Sequence, residues 1–321
     1  MENLPVVFVH VILLCLCLCL PGSCGDENFV FSGFADAGNL TLDGAAKVTA
    51  EGLLELTNNT ETITGHAFHP TPLRFKESPN GTARSFSATF VFAVVAAGAG
   101  YPDVTATDGM AFLVSPSTDF SDVTSSQYLG FLGSTAVNHT FAVELDTYQN
   151  AELRDIDGNH VGVHNGSLYS VTSQAARFHD GNDGTVKSLS LDSDMAMQVW
   201  VDYDGKGKQV NVTLAPMGLA KPSTPLISTV SDLSTVLTEL AYVGFSAAAG
   251  PVKTKHNVLA WSFAMDGPTP PIDFKKLPKL PYDNDSKTLP KEALMIALPV
   301  ASLILAACMA AILLWRRRLS V

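Results

Sequence analysis

The sequence predicts an all-β domain, a sandwich or jelly roll of antiparallel sheets, followed by one C-terminal transmembrane helix. Apolar and polar residues alternate through the middle of the chain, and Gly, Asn, Asp and Pro interrupt them at short intervals. No long helical period occurs before Ala293, so two sheets packed face to face are the expected architecture. An apolar run from Ala293 to Trp315 predicts a membrane-spanning helix at residues 292–315.

Both ends of the chain carry apolar segments that indicate export and anchoring. Residues 1–25 contain a nearly continuous apolar run followed by small residues, which is typical of a secretory signal peptide. The C-terminal run is long enough to cross about 30 Å of hydrocarbon, and the arginines at 316–318 mark its cytoplasmic side. We therefore expect a single-pass type I protein of the plasma membrane; a GPI signal is the alternative.

The remaining boundaries follow from size and composition. Residues 26–266 are expected to form one large extracellular β domain. Residues 267–291 are rich in Pro, Lys and Asp, which predicts a semi-rigid stalk. The tail at 316–321 is too short to fold, so no kinase or other catalytic domain is expected inside the cell.

Charge and cysteine usage narrow the possible functions. The formal net charge of -11 argues against nucleic acid and against an anionic surface as a partner. All five cysteines lie in or beside the two apolar end segments, so the outer domain is expected to lack disulfides. Sequons of the type N-x-[ST] favour a glycosylated surface. They lie at Asn39, Asn58, Asn80, Asn138, Asn165, Asn211 and Asn284.

Alternation assigns apolar residues to strand faces. Each of three sets is expected to share one face of a strand. The sets are Phe86, Ala88, Phe90, Phe92 and Val94; Val210, Val212 and Leu214; and Leu259, Trp261 and Phe263. The stretch from Ser231 to Leu240 suits a short helical turn.

The segment FAVELDTYQNAELRDIDGNHVGVH, residues 141–164, carries the clearest chemical signal. In a strand, Glu144, Asp146 and Tyr148 project to one face, and adjacent carboxylates repel each other unless a cation lies between them. The following loop adds Asn150, Asp155, Asp157 and His160. These supply oxygen ligands for a hard cation and one imidazole for a transition ion, which favours a metal site over an acidic surface turn.

This segment resembles the metal-binding signature of the legume (L-type) lectins. The similarity extends over almost the whole outer domain, from Phe29-x-Phe31-x-x-Phe34 through NLTLDGAAKVT, GLLELTN and GHAFHPTPLRF to YVGFSAAAG and VLAWSF. In organisation the chain is most similar to the lectin domains of plant lectin receptor-like kinases, here without the kinase. The resemblance implies a concanavalin-like sandwich of a flat and a curved antiparallel sheet.

The resemblance also implies two metal ions. A manganese-type ion would be held by Glu144, Asp146, Asp155 and His160. A calcium ion beside it would be held by Asp146, the backbone carbonyl of Tyr148, Asn150 and Asp155. Asp157 is left as a spare that could replace Asp155.

A sugar site is implied next to these ions. Asp108, in the segment TDGMAFLVSP, would accept hydrogen bonds from two sugar hydroxyls, and the peptide before it is typically cis in this family. Asn150 would donate its amide, and the ring of Tyr148 would pack against the sugar. Gln127, Gly250 and Pro251 would complete the pocket.

Three positions depart from the family pattern, and a proline in the specificity loop is a further feature. Thr107 replaces the usual small residue before the aspartate, and Gln127 stands where many members have Gly. Pro251 lacks the N–H that the specificity loop could offer. His164 stands where the family commonly has Asp, and the sequence predicts only a structural role for it.

Two other functions are compatible with parts of this pattern. Related sandwiches include retaining glucanases with carboxylates alternating along one strand, but the position two beyond Asp146 is Tyr148, so hydrolysis is not expected. The second alternative is a protein- or signal-binding module with an unused sugar site. Expected partners are glycans or glycoconjugates, together with a membrane kinase or a second copy of the chain.

Overall fold

The computed structural model of the chain describes the parts that carry the domain. These are residues 27–38, 40–96, 108–123, 126–181 and 183–280. The predicted signal peptide, the end of the predicted stalk, the predicted membrane span and the tail lie outside them. No helix among the described residues is long and apolar enough to cross a bilayer.

Two large antiparallel sheets make up the domain, which confirms the all-β jelly roll. We call the sheet that contains Phe86–Ala96 the β7 sheet. Its strands, in order, are β16 (Ile227–Val230), β15 (Gln209–Pro216), β14 (Met197–Asp204), β7 (Phe86–Ala96), β18 (Thr254–Met265), β4 (Leu54–Glu55) and β3 (Lys47–Val48), and β1 (Asn28–Ser32) also pairs with β18.

The other large sheet, the β9 sheet, contains the acidic segment. Its strands, in order, are β11 (Thr172–Ala175), β10 (His160–Asn165), β9 (Phe141–Asp146), β8 (Gly109–Ser115), β17 (Leu240–Ala249), β5 (Ile63–Phe68) and β2 (Thr41–Gly44), and β6 (Leu73–Arg74) also pairs with β17. A separate two-stranded sheet joins β12 (Arg177–His179) to β13 (Val186–Ser188).

The inner faces of the two large sheets form the main core. The predicted faces of β7 and β15 are confirmed, because all their named residues belong to this core. Phe90 of β7 stacks on Phe112 of β8 at 5.9 Å and meets Phe245 of β17 edge-on at 5.1 Å. Aromatic contacts of this kind hold one sheet against the other.

The expected face of β18 is wrong at one residue. The pairing of β18 with β7 shifts between Val258 and Ala260, which is a β-bulge. Val258, Trp261 and Phe263 therefore belong to the main core, and Leu259 does not. Simple alternation cannot show where a strand takes in an extra residue.

Among the described residues, four short 3-10 helices interrupt the connections. They are Val137–His139, Ala151–Leu153, Leu233–Thr235 and Phe274–Lys276. The third confirms the expected helical turn, and the side chain of Asp232 caps it by accepting from the Ser234 N–H at 3.0 Å.

The outer face of the β9 sheet is covered as well. Phe120, Leu129 and Phe131, from the connection between β8 and β9, pack on Ala111 and Ala142 in a second apolar cluster. Polar side chains of β9 and β10, Glu144 and His164 among them, are buried as well.

The first residues of the predicted stalk contact the domain. The Ser262 hydroxyl donates to the Pro270 carbonyl at 2.7 Å, and the Asp273 N–H donates to the Ser32 hydroxyl at 2.9 Å. The compact unit that contains the domain ends at Pro278.

Candidate functional site

Two carboxylates are buried side by side on the outer face of β9. Glu144 is 3% exposed and Asp146 is 1% exposed. Val143 and Leu145 point the other way, into the main core, as alternation predicts. Burying two acidic groups so close together is costly unless other groups compensate for the charge.

His160 on the neighbouring strand β10 faces this pair. It is opposite Asp146 in the strand register and has no exposed surface. Its Nδ1 donates to the Asp157 carbonyl at 2.8 Å, which leaves Nε2 to face the carboxylates. Nε2 lies 3.5 Å from Oε1 of Glu144 and 3.9 Å from Oδ1 of Asp155.

The donor set fits a metal ion. Ligand atoms of Glu144, Asp146 and His160 all lie within 4.8 Å of one another. Oε1 of Glu144, Nε2 of His160 and Oδ1 of Asn150 are buried with no hydrogen-bond partner among the described residues. Buried polar atoms are normally paired, so unpaired ones that converge are the expected sign of a cation site. One imidazole with two carboxylates suits a transition ion.

The electrostatics of the cluster agree with this fit. Burial, and then the charge of Glu144, hold the pKa of Asp146 well above its usual range. For Glu144 burial acts the same way, but His164 and His160 outweigh it and lower the pKa. Burial opposes the charged form of His160, yet Glu144 and the two aspartates raise its pKa to about 9. Without a cation, the site cannot easily hold both carboxylates ionised.

The loop after β9 brings the expected calcium ligands towards the same place. The Asn150 N–H donates to Oδ2 of Asp155 at 2.6 Å, and the Tyr148 N–H donates to Oδ1 of Asp146 at 2.8 Å. Burial raises the pKa of Asp155. The side chain of Tyr148 lies beyond the end of β9 and is 47% exposed. Asp157, the spare, is half exposed and contributes its carbonyl to His160.

Asp108 is joined to this loop by its backbone. It directly precedes β8, is 3% exposed and has φ of 65°, a left-handed conformation that non-glycine residues adopt uncommonly. Its carbonyl accepts from the Thr147 N–H at 2.8 Å and from the Thr147 hydroxyl at 2.5 Å. The peptide that was expected to be cis involves residue 107, which lies outside the described residues.

The structure describes the other predicted pocket residues, and one of them packs directly against this carboxylate. Gly250 is buried against it: an added Cβ would lie 2.4 Å from Oδ2 of Asp108. The Ser126 hydroxyl donates to Oδ1 of Asp108 at 3.2 Å. Gln127 is half-buried in the turn that follows Ser126, and Pro251 is exposed beside Gly250.

Four site residues were missed from the sequence. His164 hydrogen-bonds Glu144, and Gly162 makes room for the Glu144 side chain. Thr147 and Ser126 both donate to Asp108. The alternation H-V-G-V-H from residue 160 to 164 carried the signal for two of them, because it places both histidines and the glycine on one face. Their contact with Glu144 depends on how β10 pairs with β9.

Comparison with known proteins gives a consistent result. Residues 26–279 match the legume lectin domain. The chain is 43% identical over 97% of its length to the L-type lectin-domain containing receptor kinase SIT2 of Oryza sativa subsp. japonica. It spans 46% of that relative, about half the length of the curated relatives that it matches.

Solved structures agree with the fold. Lectin II from Ulex europaeus superimposes with a TM-score of 0.63 at 25% identity, covering 76% of this chain and 100% of that one. Lectin UEA-II complexed with galactose gives a TM-score of 0.62 at 25% identity, with the same coverage.

Proposed function

This chain belongs to the legume lectin family, and on that premise we propose that its domain binds carbohydrate at Asp108 and depends on calcium and a manganese-type ion. Family and fold are those of a lectin-type receptor module. The finer proposal concerns the site, its ions and its setting outside the cell.

One observation carries this proposal: the same short segment that contains the proposed metal ligands also holds Asp108. Thr147 lies between Asp146 and Tyr148, and both its N–H and its hydroxyl donate to the Asp108 carbonyl. A loop fixed by ions would therefore fix the backbone of Asp108 in its uncommon conformation. This would keep the Asp108 carboxylate preorganised for a ligand.

The ion ligands would be those named from the sequence. Glu144, Asp146, Asp155 and His160 would hold the transition ion, and Asp146, the Tyr148 carbonyl, Asn150 and Asp155 would hold calcium. When bound, the ions would supply positive charge that neutralises the buried carboxylates. The side chains of the pocket, not the ions, would contact the sugar.

The sugar would meet three kinds of groups. The Asp108 carboxylate would accept from hydroxyls, and Gly250 packs so closely against its Oδ2 that an added Cβ would lie 2.4 Å from it. Asn150 has its Oδ1 buried and unpaired, as expected of an ion ligand, so its Nδ2 can donate to the sugar. The half-exposed ring of Tyr148 offers an apolar face to the C–H groups of a pyranose. One solved neighbour is a galactose complex by its own description, which supports a hexose as the ligand class.

The setting is proposed from the relatives and the sequence. The matched relatives are receptor kinases, which supports a cell-surface recognition role as a receptor or co-receptor. The signal peptide and the membrane span stay predictions, since those segments lie outside the described residues. A partner kinase, self-association and glycosylation at the sequons belong to the same set of predictions.

A glycan array on the purified full-length chain tests the proposal. We expect binding that chelator abolishes and that calcium with manganese restores. Asp108→Asn keeps the shape but removes the charged acceptor, and we expect it to lose most of the signal. Asp202→Asn, a carboxylate paired with Lys221 in the β7 sheet, is the matched control.

The outcomes separate the proposal from its alternative. Binding that needs the ions and Asp108 but not Asp202 supports a lectin. Binding that ignores chelator and Asp108→Asn, or no glycan signal from a folded chain, contradicts it and favours the protein-binding module.

A further inference from the structure

His164 is a buried residue for which the sequence offered no role in the site. It is 2% exposed and lies on β10, two residues beyond Gly162, which is opposite Glu144 in the register. Its Nε2 lies 2.6 Å from Oε2 of Glu144, and its Nδ1 lies 3.2 Å from the Ser167 carbonyl. Both partners are acceptors, so both ring nitrogens donate.

This contact divides the two oxygens of Glu144. Oε2 accepts from His164, whereas Oε1 faces His160 and has no hydrogen-bond partner. Gly162 lies against the same carboxylate, and a Cβ there would come within 1.9 Å of Oε1. His164 thus holds Oε2, and the missing side chain of Gly162 leaves room for Oε1 beside His160.

We propose that His164 is a positioning residue that fixes Oε1 of Glu144 towards the transition ion and so sets the affinity for that ion. The inference rests on the proposed metal site and adds a residue to it. Groups that hydrogen-bond a metal ligand commonly change metal affinity by about 10–100-fold when removed. Calcium is affected less, because its proposed ligands do not include Glu144.

The sign of the effect distinguishes positioning from charge. A histidine that donates from both nitrogens is a cation, and a cation beside a divalent ion repels it. If charge were the main effect, removing His164 would strengthen metal binding. If positioning is the main effect, removal weakens it.

The experiment uses the full-length chain, stripped of metal and then titrated with Mn²⁺, with free Mn²⁺ measured by electron paramagnetic resonance. His164→Leu is expected to bind Mn²⁺ about 10–100-fold more weakly. His164→Gln keeps an N–H donor without the charge and is expected within about threefold of the unmodified chain. Calcium affinity, from calorimetry, is expected to change by less than about threefold in both.

A control separates lost packing from lost positioning. His256 is also fully buried but lies in the β7 sheet and contacts Thr57 instead of a carboxylate. His256→Leu is expected to lower the melting temperature and leave Mn²⁺ affinity unchanged.

Three results would overturn the inference. His164→Leu could bind Mn²⁺ as tightly as the unmodified chain, or more tightly. That result would contradict the positioning role but leave the proposed metal site standing. A folded His164→Gln as weak as His164→Leu does the same. If the unmodified chain binds neither ion, the proposed metal site is itself wrong and the role of His164 falls with it.

Discussion

The β9 and β7 sheets each bury a histidine with no exposed surface, yet the surroundings of the two rings are opposite. His160 in the β9 sheet faces Glu144, Asp146 and Asp155, and despite burial these raise its pKa to about 9. His256 in the β7 sheet has no carboxylate partner, and burial lowers its pKa to about 3. The first ring favours a proton or a metal, and the second favours neutrality.

The hydrogen bonds around His256 show what a structural histidine needs. The Thr57 hydroxyl donates to the Thr254 carbonyl at 2.8 Å, so its oxygen accepts from Nδ1 of His256 at 2.8 Å. The ring is then the neutral tautomer with a bare Nε2. The surroundings of His256 contain no unpaired charge, whereas the β9 sheet buries more charge than it can pair. Burial alone therefore does not mark a functional site; uncompensated buried charge does.

The largest expected effect comes from removing one charge in the β9 sheet. Asp146→Asn is expected to weaken Mn²⁺ binding by more than about 100-fold. Removing a direct metal ligand should weaken binding more than removing a residue that only hydrogen-bonds a ligand. In chelator the free energy of unfolding should stay the same or rise by ~1 kcal/mol, because the repulsion with Glu144 is gone. Metal titration and urea unfolding measure the two effects. A variant that keeps its Mn²⁺ affinity would show that the carboxylate pair holds no ion.

A methyl group at Gly162 tests the space beside Glu144. Gly162→Ala would push Oε1 aside, because the new Cβ would lie 1.9 Å from it, and we expect Mn²⁺ affinity to fall about 10-fold or more. Gly181→Ala is the matched control, because its Cβ would meet nothing within 4 Å. Equal Mn²⁺ affinity in the two variants would mean that Glu144 can move without consequence.

Acid should act on the neutral histidine in the β7 sheet. The pKa of His256 is lowered in the folded protein, so the unfolded chain binds its proton more readily. Its contribution to stability is complete above about pH 6.5 and is lost as pH falls towards 3, by at most about 1.4 kcal/mol per pH unit. Urea unfolding in chelator at pH 6.5 and 5.5 measures this loss of stability. His256→Asn keeps a donor to Thr57 and is expected to reduce the dependence of the unfolding free energy on pH. An unchanged slope in that variant would place the acid sensitivity elsewhere.

The smallest expected effect concerns the link from the metal loop to Asp108. Thr147→Val removes one of two hydrogen bonds to the Asp108 carbonyl and keeps the N–H. We expect a loss of about 1 kcal/mol, or roughly fivefold, in glycan affinity with no change in Mn²⁺ affinity. Glycan binding by surface plasmon resonance checks it. Loss of both affinities together would mean that the loop unfolds, and loss of neither would mean that the N–H suffices.

Much of the fold could be predicted from the sequence. Alternation identified the inner faces of β7 and β15 because a buried face needs apolar residues at every second position. It was wrong at Leu259, where a bulge adds a residue. The resemblance supplied the family, which the comparisons confirm, and the candidate ligands Glu144, Asp146 and His160, which the structure brings together.

By itself, the sequence determined the strand pattern, the acidic segment and the family, because these depend on residue type and spacing along the chain. Only the tertiary structure decided that His164 meets Glu144, that Gly162 leaves room for it, and that Thr147 holds Asp108. Those contacts join residues on different strands. Their partners are set by the register of β8, β9 and β10, and a register is fixed by the packing of the whole sheet rather than by any one strand.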